Sequence, residues 1–137
     1  MSWLKFSRSR GRISLYLGNT TGNFVEVPQA EWPAHNNATS TSNGPWPNGI
    51  WKWSHYNVHA EAGLAPACHP TAYGCFGIHM FAVTGRPGIG VHAGRTHGEP
   101  LNLGGKTLGC IRVPVDAMLL INTTHNTDPL VGIQVGD

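Results

Sequence analysis

Short alternating runs of apolar and polar residues predict β-strands along most of the chain. Residues 12–17 (Arg-Ile-Ser-Leu-Tyr-Leu) alternate with the two-residue period of a half-buried strand, and residues 18–23 are a turn rich in Gly and Asn. Apolar residues resume at 24–27, so the pattern predicts a hairpin over this first part of the chain. Residues 28–48 are rich in Asn, Ser, Thr, Gly and Pro and predict a loop.

The middle of the chain predicts three more strands. A Pro-Asn-Gly turn at 47–49 leads into an aromatic strand at 50–53 (Ile-Trp-Lys-Trp), and residues 60–75 have no clear period. Residues 76–83 and 89–92 are apolar enough for strands, and glycines flank the second of them.

Glycines and prolines in residues 93–106 predict a surface loop, and residues 111–113 predict a short extended segment. One helix is expected, over residues 114–124, because Pro114 suits a first turn and Asp116 follows it. A closing strand is expected at 130–135. On one side of the helix the pattern places Val115, Met118, Leu119 and Asn122.

Composition agrees with a single, mainly β domain spanning residues 1–137. Hydrophobic residues make up 40% of the chain and charged residues 12%, with 18 glycines and 10 prolines. Few charges and many turn formers disfavour a helical bundle, and five tryptophans give the chain enough apolar surface to exclude disorder.

The charge and the apolar runs exclude two classes of partner. A net charge of +2 is too small to indicate nucleic acid binding, and no stretch reaches the roughly 18–20 apolar residues that cross a bilayer. No signal peptide is visible. Basic residues do cluster near the N-terminus, either as a solvated strand edge or as a patch that attracts an anionic polymer: Lys5, Arg8, Arg10 and Arg12.

Two of the three cysteines flank a short loop. Cys68 and Cys75 could form a disulfide or remain free thiols. Together with His69 and His79 they are also a candidate zinc site, but the spacing does not match the usual pairs of ligands two to four residues apart. We therefore expect no metal.

Cys110 stands apart, in the segment Thr107-Leu108-Gly109-Cys110, which follows His92 after a Gly-rich loop. A cysteine nucleophile reacts as its thiolate, so it needs a base such as a histidine within hydrogen-bonding distance. His92 ends a predicted strand and would be held rigidly, whereas the alternative, His97, falls in the predicted loop. Gly109 would leave two backbone amides, its own and that of Cys110, to stabilise an oxyanion.

The pattern His-x(14)-Thr-Leu-Gly-Cys-Ile-Arg resembles the signature of the L,D-transpeptidase (YkuD-like) catalytic domain, over about residues 89–113. The resemblance implies a mixed, mainly β sandwich with one short helix after the catalytic cysteine. It implies Cys110 as nucleophile, His92 as base, Thr107 and Gly109 as supports of the site, and Arg112 as a substrate or structural contact. Arg95 is a further candidate for substrate binding.

This sequence departs from the family's pattern at two positions. Leu108 stands where the family often has a second histidine, and Ala93 replaces the glycine usual after the first one. Both departures bear on rate and pH dependence more than on the identity of the nucleophile.

The resemblance also implies the reaction. We expect attack on peptidoglycan tetrapeptide stems through an acyl-enzyme, with formation of 3–3 cross-links or exchange of the terminal D-amino acid, by a monomer without a cofactor in the cell envelope or periplasm. The alternatives are hydrolysis of the same stems as an L,D-carboxypeptidase or endopeptidase, and a module that binds the cell wall without catalysis.

Overall fold

The computed structural model describes residues 1–18, 29–36, 44–57, 68–69, 74–86, 88–93 and 110–137, with backbone only at 68–69 and 74–75. These ranges form ten strands and one helix. The strands are β1 (Ser2–Ser7), β2 (Arg12–Tyr16), β3 (Ala30–Pro33), β4 (Gly49–Asn57), β5 (Cys68–His69), β6 (Gly74–Cys75), β7 (Ile78–Ala82), β8 (Gly90–Ala93), β9 (Ile111–Val113) and β10 (Leu130–Gly136); the helix is α1 (Val115–Thr127).

Eight of these strands form one mixed sheet in the order β3-β2-β1-β10-β4-β7-β8-β9, while β5 and β6 pair separately. The pairs β1–β10 and β8–β9 are parallel and the other neighbours are antiparallel. Beyond the end of β3, His35 forms an antiparallel bridge with Arg112 of β9. Because β3 and β9 are the two edges of the sheet, this bridge nearly closes it.

Strand alternation supplies the core inside the curved sheet. Along β1 and β2 the buried apolar residues Leu4, Phe6, Ile13 and Leu15 face inward, and the fully buried Trp46 packs with them. Burial of such side chains contributes about 1.5–3 kcal/mol each. The remaining members of the core on the sheet are Phe81, Val91, Ala93, Ile111, Val113, Leu130, Ile133 and Val135.

The helix begins directly after Cys110 and β9, where the family resemblance implies one. Pro114, with φ of −64°, is its N-cap. The helix does not continue on the N-terminal side of Pro114, because proline has no backbone N–H to donate to a preceding turn. Ala117, Met118 and Ile121 are buried against the core, whereas Leu119, expected on the same side as Met118, is 50% exposed. The predicted side of the helix was therefore wrong at Leu119.

The strands at residues 50–53, 76–83, 89–92, 111–113 and 130–135 are confirmed, with ends shifted by a few residues. Two predictions were wrong. The segment 28–48, predicted as a loop, contains β3. The hairpin predicted between residues 12–17 and 24–27 is not formed, because the antiparallel partners of β2 are β1 and β3. The predicted strand at 24–27 and most of the predicted loop at 93–106 lie outside the described residues. Within the described residues, no helix has the length and apolar character needed to cross a bilayer.

Candidate active site

The candidate site is built on the parallel ladder of β8 and β9. Val91 pairs with Ile111, and His92 pairs with Arg112. Val91 and Ile111 face the core, so alternation turns His92 and Arg112 to the opposite side of the sheet. Cys110 immediately precedes β9, and its thiol is near enough to Arg112 for that charge to lower the thiol pKa.

Continuing the ladder by one residue puts Cys110 beside Gly90. At about 3.3 Å per residue along a strand and about 4.8 Å between strands, the backbone positions of residues 92 and 110 are diagonal neighbours about 8 Å apart. Residues that belong to two separate motifs in the sequence therefore share one patch of the sheet surface.

The environment of Cys110 both disfavours and favours its thiolate. The side chain is half-buried, and its Sγ lies 3.9 Å from the carbonyl oxygen of Gly88. Burial raises the pKa of the thiol, while a hydrogen bond with the Gly90 backbone and the charges of Arg112 and Arg86 lower it. Burial dominates and the pKa is raised, so a thiolate at neutral pH requires a base.

His92 is held in one orientation by its own strand. The ring is 4% exposed, and Nδ1 lies 2.6 Å from the carbonyl oxygen of Ala93. A carbonyl only accepts, so Nδ1 carries the proton and donates it to Ala93. In the neutral ring this makes Nε2 the basic nitrogen.

Arg112 is 6% exposed, so its side chain does not lie on the open surface. Its backbone is fixed from both sides: its N–H donates to His35 O at 2.9 Å, and its carbonyl accepts from the His35 N–H at 3.1 Å. The guanidinium acts on the site electrostatically, because its charge lowers the pKa of Cys110.

Asn36 connects the cysteine to the N-terminal half of the chain. Its Nδ2 donates to the carbonyl oxygen of Cys110 at 2.9 Å. Its Oδ1 accepts from the Trp46 backbone N–H at 2.7 Å and from Arg8 Nη1 at 3.1 Å. One buried amide group thus ties three segments together immediately beside the candidate nucleophile.

Two arginines fix the segment 44–46 between them. Arg8 Nη2 donates to the carbonyl oxygen of Trp46 at 2.5 Å. Arg86 donates from Nη1 to Pro45 O at 2.9 Å and from Nη2 to Gly44 O at 2.7 Å. Because the Arg86 charge also lowers the pKa of Cys110, this arrangement contributes to the electrostatics of the site.

The curved sheet and helix α1 are similar to several solved structures, although no protein-family model and no curated protein sequence matches the chain. Bd1075 of Bdellovibrio bacteriovorus superposes with a TM-score of 0.63 at 17% identity, over 97% of this chain and 46% of that one. L,D-transpeptidase 1 of Mycobacterium tuberculosis superposes with a TM-score of 0.56 at 15% identity, over 99% and 62% of the two chains. An L,D-transpeptidase of Xylanimonas cellulosilytica gives 0.54 at 14% identity, over 98% and 59%.

The chain has the L,D-transpeptidase fold. It spans about half to three-fifths of the length of these structures. The predicted fold class, mainly β with one helix after the cysteine, is confirmed.

Within the L,D-transpeptidase fold, the structure brings together three of the residues selected from the sequence: Cys110, His92 and Arg112. Thr107, Gly109, Arg95 and the rival base His97 lie outside the described residues, so their roles stay predictions. Asn36, Arg8 and Arg86 were not assigned to the site. Asn36 lies in a run of Asn, Ser and Thr that predicts only a loop, so no local signal marks it.

His79, one of the four residues of the candidate zinc site, belongs to a buried hydrogen-bond network. His79 Nδ1 accepts from Trp53 Nε1 at 3.0 Å, so Nε2 carries the ring proton and donates to Asn122 Oδ1 at 2.6 Å. Asn122 Nδ2 in turn donates to the carbonyl oxygen of Phe76 at 2.9 Å, and so does the Tyr56 hydroxyl at 2.5 Å. Both nitrogens of His79 are engaged, which removes it from the candidate zinc ligands.

The network also accounts for a strained residue. Phe76 has φ of +71°, a region that non-glycine residues rarely adopt, and its carbonyl receives the two donors described above.

Across β5 and β6, Cys68 and Cys75 are partners in the backbone register. Among the described side chains, no group of three or more potential ligands could hold a metal ion.

Proposed function

We propose that the chain is a cysteine-dependent L,D-transpeptidase that acts on the tetrapeptide stems of peptidoglycan. The observation that supports this most is that Cys110 directly precedes β9, the parallel partner of the strand that carries His92. Nδ1 of His92 lies 2.6 Å from the carbonyl oxygen of Ala93, so in the neutral ring Nε2 is the basic nitrogen. The pairing occurs within a fold similar to that of L,D-transpeptidases.

In the first half-reaction, His92 Nε2 takes the thiol proton and the Cys110 sulfur attacks the carbonyl carbon of the third stem residue. The amides of Gly109 and Cys110 are proposed to stabilise the resulting oxyanion, with each donor contributing about 3–4 kcal/mol to the transition state. The C–N bond to the terminal D-alanine then breaks, the imidazolium protonates the departing amine, and a thioester remains.

In the second half-reaction, the amine of a neighbouring stem attacks the thioester carbonyl and gives up its proton to His92. The new amide bond is a 3–3 cross-link, and the sulfur leaves and recovers its proton. Water as the acceptor would give hydrolysis, and a free D-amino acid would give exchange. Arg112 and Arg95 are proposed to contact the substrate, Thr107 to support the site, and the cell envelope to be the place of action.

The raised pKa of Cys110 favours one other candidate, a module that binds the cell wall without catalysis, since the protonated thiol is not the attacking species. The two functions differ in one outcome. Only the enzyme forms a covalent acyl adduct at Cys110 when it is given a tetrapeptide stem or a carbapenem.

The direct test is incubation with purified tetrapeptide muropeptides, followed by mass analysis of the products. A cross-linked dimer is expected; loss of alanine alone would indicate hydrolysis, and unchanged substrate would contradict the proposal.

We expect His92→Ala to slow turnover by at least about a hundredfold, the usual scale for loss of a general base. His97→Ala should have a far smaller effect, and the opposite ranking would reassign the base.

A further inference from the structure

A groove with a volume of about 690 Å³ runs along the outside of the β1–β2 turn and the segment 33–36. Arg8, Arg10 and Arg12 line it, together with His35 and Asn36. The groove therefore concentrates the basic cluster of the N-terminus on a concave surface, where charges of one sign add to a stronger local potential than on a flat one.

Cations outnumber anions in this groove. Arg10 Nη2 and Arg12 Nε share a single carboxylate oxygen, Oε1 of Glu31, at 2.9 and 3.2 Å. The other oxygen of that carboxylate accepts from the Ser14 hydroxyl at 2.7 Å. The Ser14 hydrogen bond and the two arginines lower the pKa of Glu31, so it is ionised at neutral pH and offsets one guanidinium.

Arg8 adds a further positive charge, and within the described residues its hydrogen bonds go to uncharged groups. It donates to Asn36 Oδ1, to the carbonyl oxygen of Trp46 and to Asn48 Oδ1. Three guanidinium groups in the groove and the Glu31 carboxylate beside it leave a surplus of two positive charges among the described residues there. Arg10 is the most accessible of the three, with a side chain 61% exposed.

The groove is joined to the candidate active site through its own lining. Asn36 lines the groove and donates to the carbonyl oxygen of Cys110 at 2.9 Å. His35, its neighbour, pairs through its backbone with Arg112. A ligand in the groove would therefore lie against the residues that hold the nucleophile in place.

We propose that this groove binds free carboxylates of a peptidoglycan stem peptide and so orients a stem at Cys110; the proposal rests on the proposed function. Guanidinium forks match carboxylates in shape and charge, and a stem peptide carries several carboxylates along a short backbone. The groove supplies affinity and orientation, while the chemistry remains with Cys110 and His92.

The experiment measures binding separately from reaction. A soluble tetrapeptide muropeptide is titrated into the Cys110→Ala protein, in parallel with the same peptide whose side carboxylates are converted to amides. Arg10→Gln removes one exposed charge from the groove, and Lys52→Gln removes one exposed charge from β4, outside it. We expect Arg10→Gln to weaken binding of the free-carboxylate peptide by about tenfold, and Lys52→Gln to leave it unchanged.

The amidated peptide should bind weakly and be indifferent to Arg10→Gln. Equal binding of the two peptides, equal effects of the two substitutions, or binding of polyphosphate in preference to the stem would each overturn the proposal. Acylation of wild-type Cys110 by the same tetrapeptide is followed in parallel by mass. If the stem binds in an Arg10-dependent way but Cys110 is not acylated, the proposed reaction is wrong and the proposed role of the groove stands. If Cys110 is acylated but Arg10→Gln has no effect on binding, the proposed role of the groove is wrong and the reaction stands.

Discussion

At the scale of single residues, the reactivity of Cys110 depends on groups that oppose each other. Burial raises the pKa of its thiol, whereas the Gly90 backbone and two arginine charges lower it. A half-buried thiol becomes a nucleophile only when a base removes its proton, and His92 is the base that we propose. The backbone of Cys110 is fixed in turn by Asn36.

Asn36→Asp tests this fixing role. Aspartate keeps an acceptor for Trp46 and Arg8 but loses the donor to Cys110 O, and it adds a negative charge that raises the pKa of the thiol. We expect acylation of Cys110 to slow by about tenfold, with a pH profile shifted upward, while the fold is retained. An unchanged rate and profile would show that Asn36 is purely structural.

Asn36→Ala is the companion variant, because it removes all three hydrogen bonds. It should lower the free energy of unfolding by about 2–3 kcal/mol as well, which urea denaturation would measure. The two variants therefore separate stability from reactivity.

Cys110 and His92 could be selected from the sequence because a motif marks them, but Asn36 could not. Its partners lie 10, 28 and 74 residues away, and nothing local distinguishes it from the other polar residues of its segment. Long-range partners of this kind are set by the folded sheet and have no periodic signature.

At the scale of elements, helix α1 packs through a narrow strip of small and medium-sized residues. Met118 is fully buried, whereas its neighbour Leu119 is half exposed, so the two form a matched pair. We expect Met118→Ala to lower the free energy of unfolding by about 2–5 kcal/mol and Leu119→Ala by less than about 0.5 kcal/mol. Thermal or urea unfolding of both variants measures this; equal losses would contradict the observed face of the helix.

The link between β4, β7 and α1 is a pH-sensitive contact. Burial lowers the pKa of His79 to about 4 from an ordinary value of 6.5, with a smaller contribution from the charge of His125 in the same direction and an opposing one from its bond to Asn122. Protonation would also set a ring N–H against the Trp53 donor. The unfolded chain therefore binds this proton more readily than the native protein.

The sign of the pH effect follows directly. The stabilising contribution of neutral His79 is complete above pH 6.5 and is lost as the pH falls from 6.5 toward 4, by about 3 kcal/mol in total. Urea denaturation at several pH values in this window should show the loss in the wild type and a smaller one in His79→Gln. Parallel curves for the two proteins would contradict it.

Strands β1 and β3 were not predicted from the sequence, and each has a physical reason. Ala30–Pro33 contains no alternation and is only partly buried, so its strand conformation comes from pairing with β2. Ser2–Ser7 does alternate, but over few residues, with Leu4 and Phe6 buried and Lys5 exposed. Ile111 and Val113, both fully buried on either side of Arg112, were predictable as strand residues because strands and cores favour the same β-branched side chains.

At the scale of the whole molecule, near-closure of the sheet creates the site. The bridge between His35 and Arg112 joins the two edge regions of the sheet, and it brings Asn36 to Cys110 across 74 residues of sequence. Without that closure, β9 would be an open edge and the cysteine would lack its support from the N-terminal half. The family resemblance predicted the architecture, but no local pattern predicts which edges meet.

If the chain is an L,D-transpeptidase, Cys110 forms a covalent acyl intermediate with a tetrapeptide stem. Intact-protein mass spectrometry during incubation with the stem measures this most directly. We expect a mass increase equal to the mass of the intact stem minus that of free alanine, confined to Cys110 and absent from Cys110→Ala. A wild-type protein that stays unmodified while folded and bound to the stem, or a Cys110→Ala protein that still gains the adduct, would contradict it.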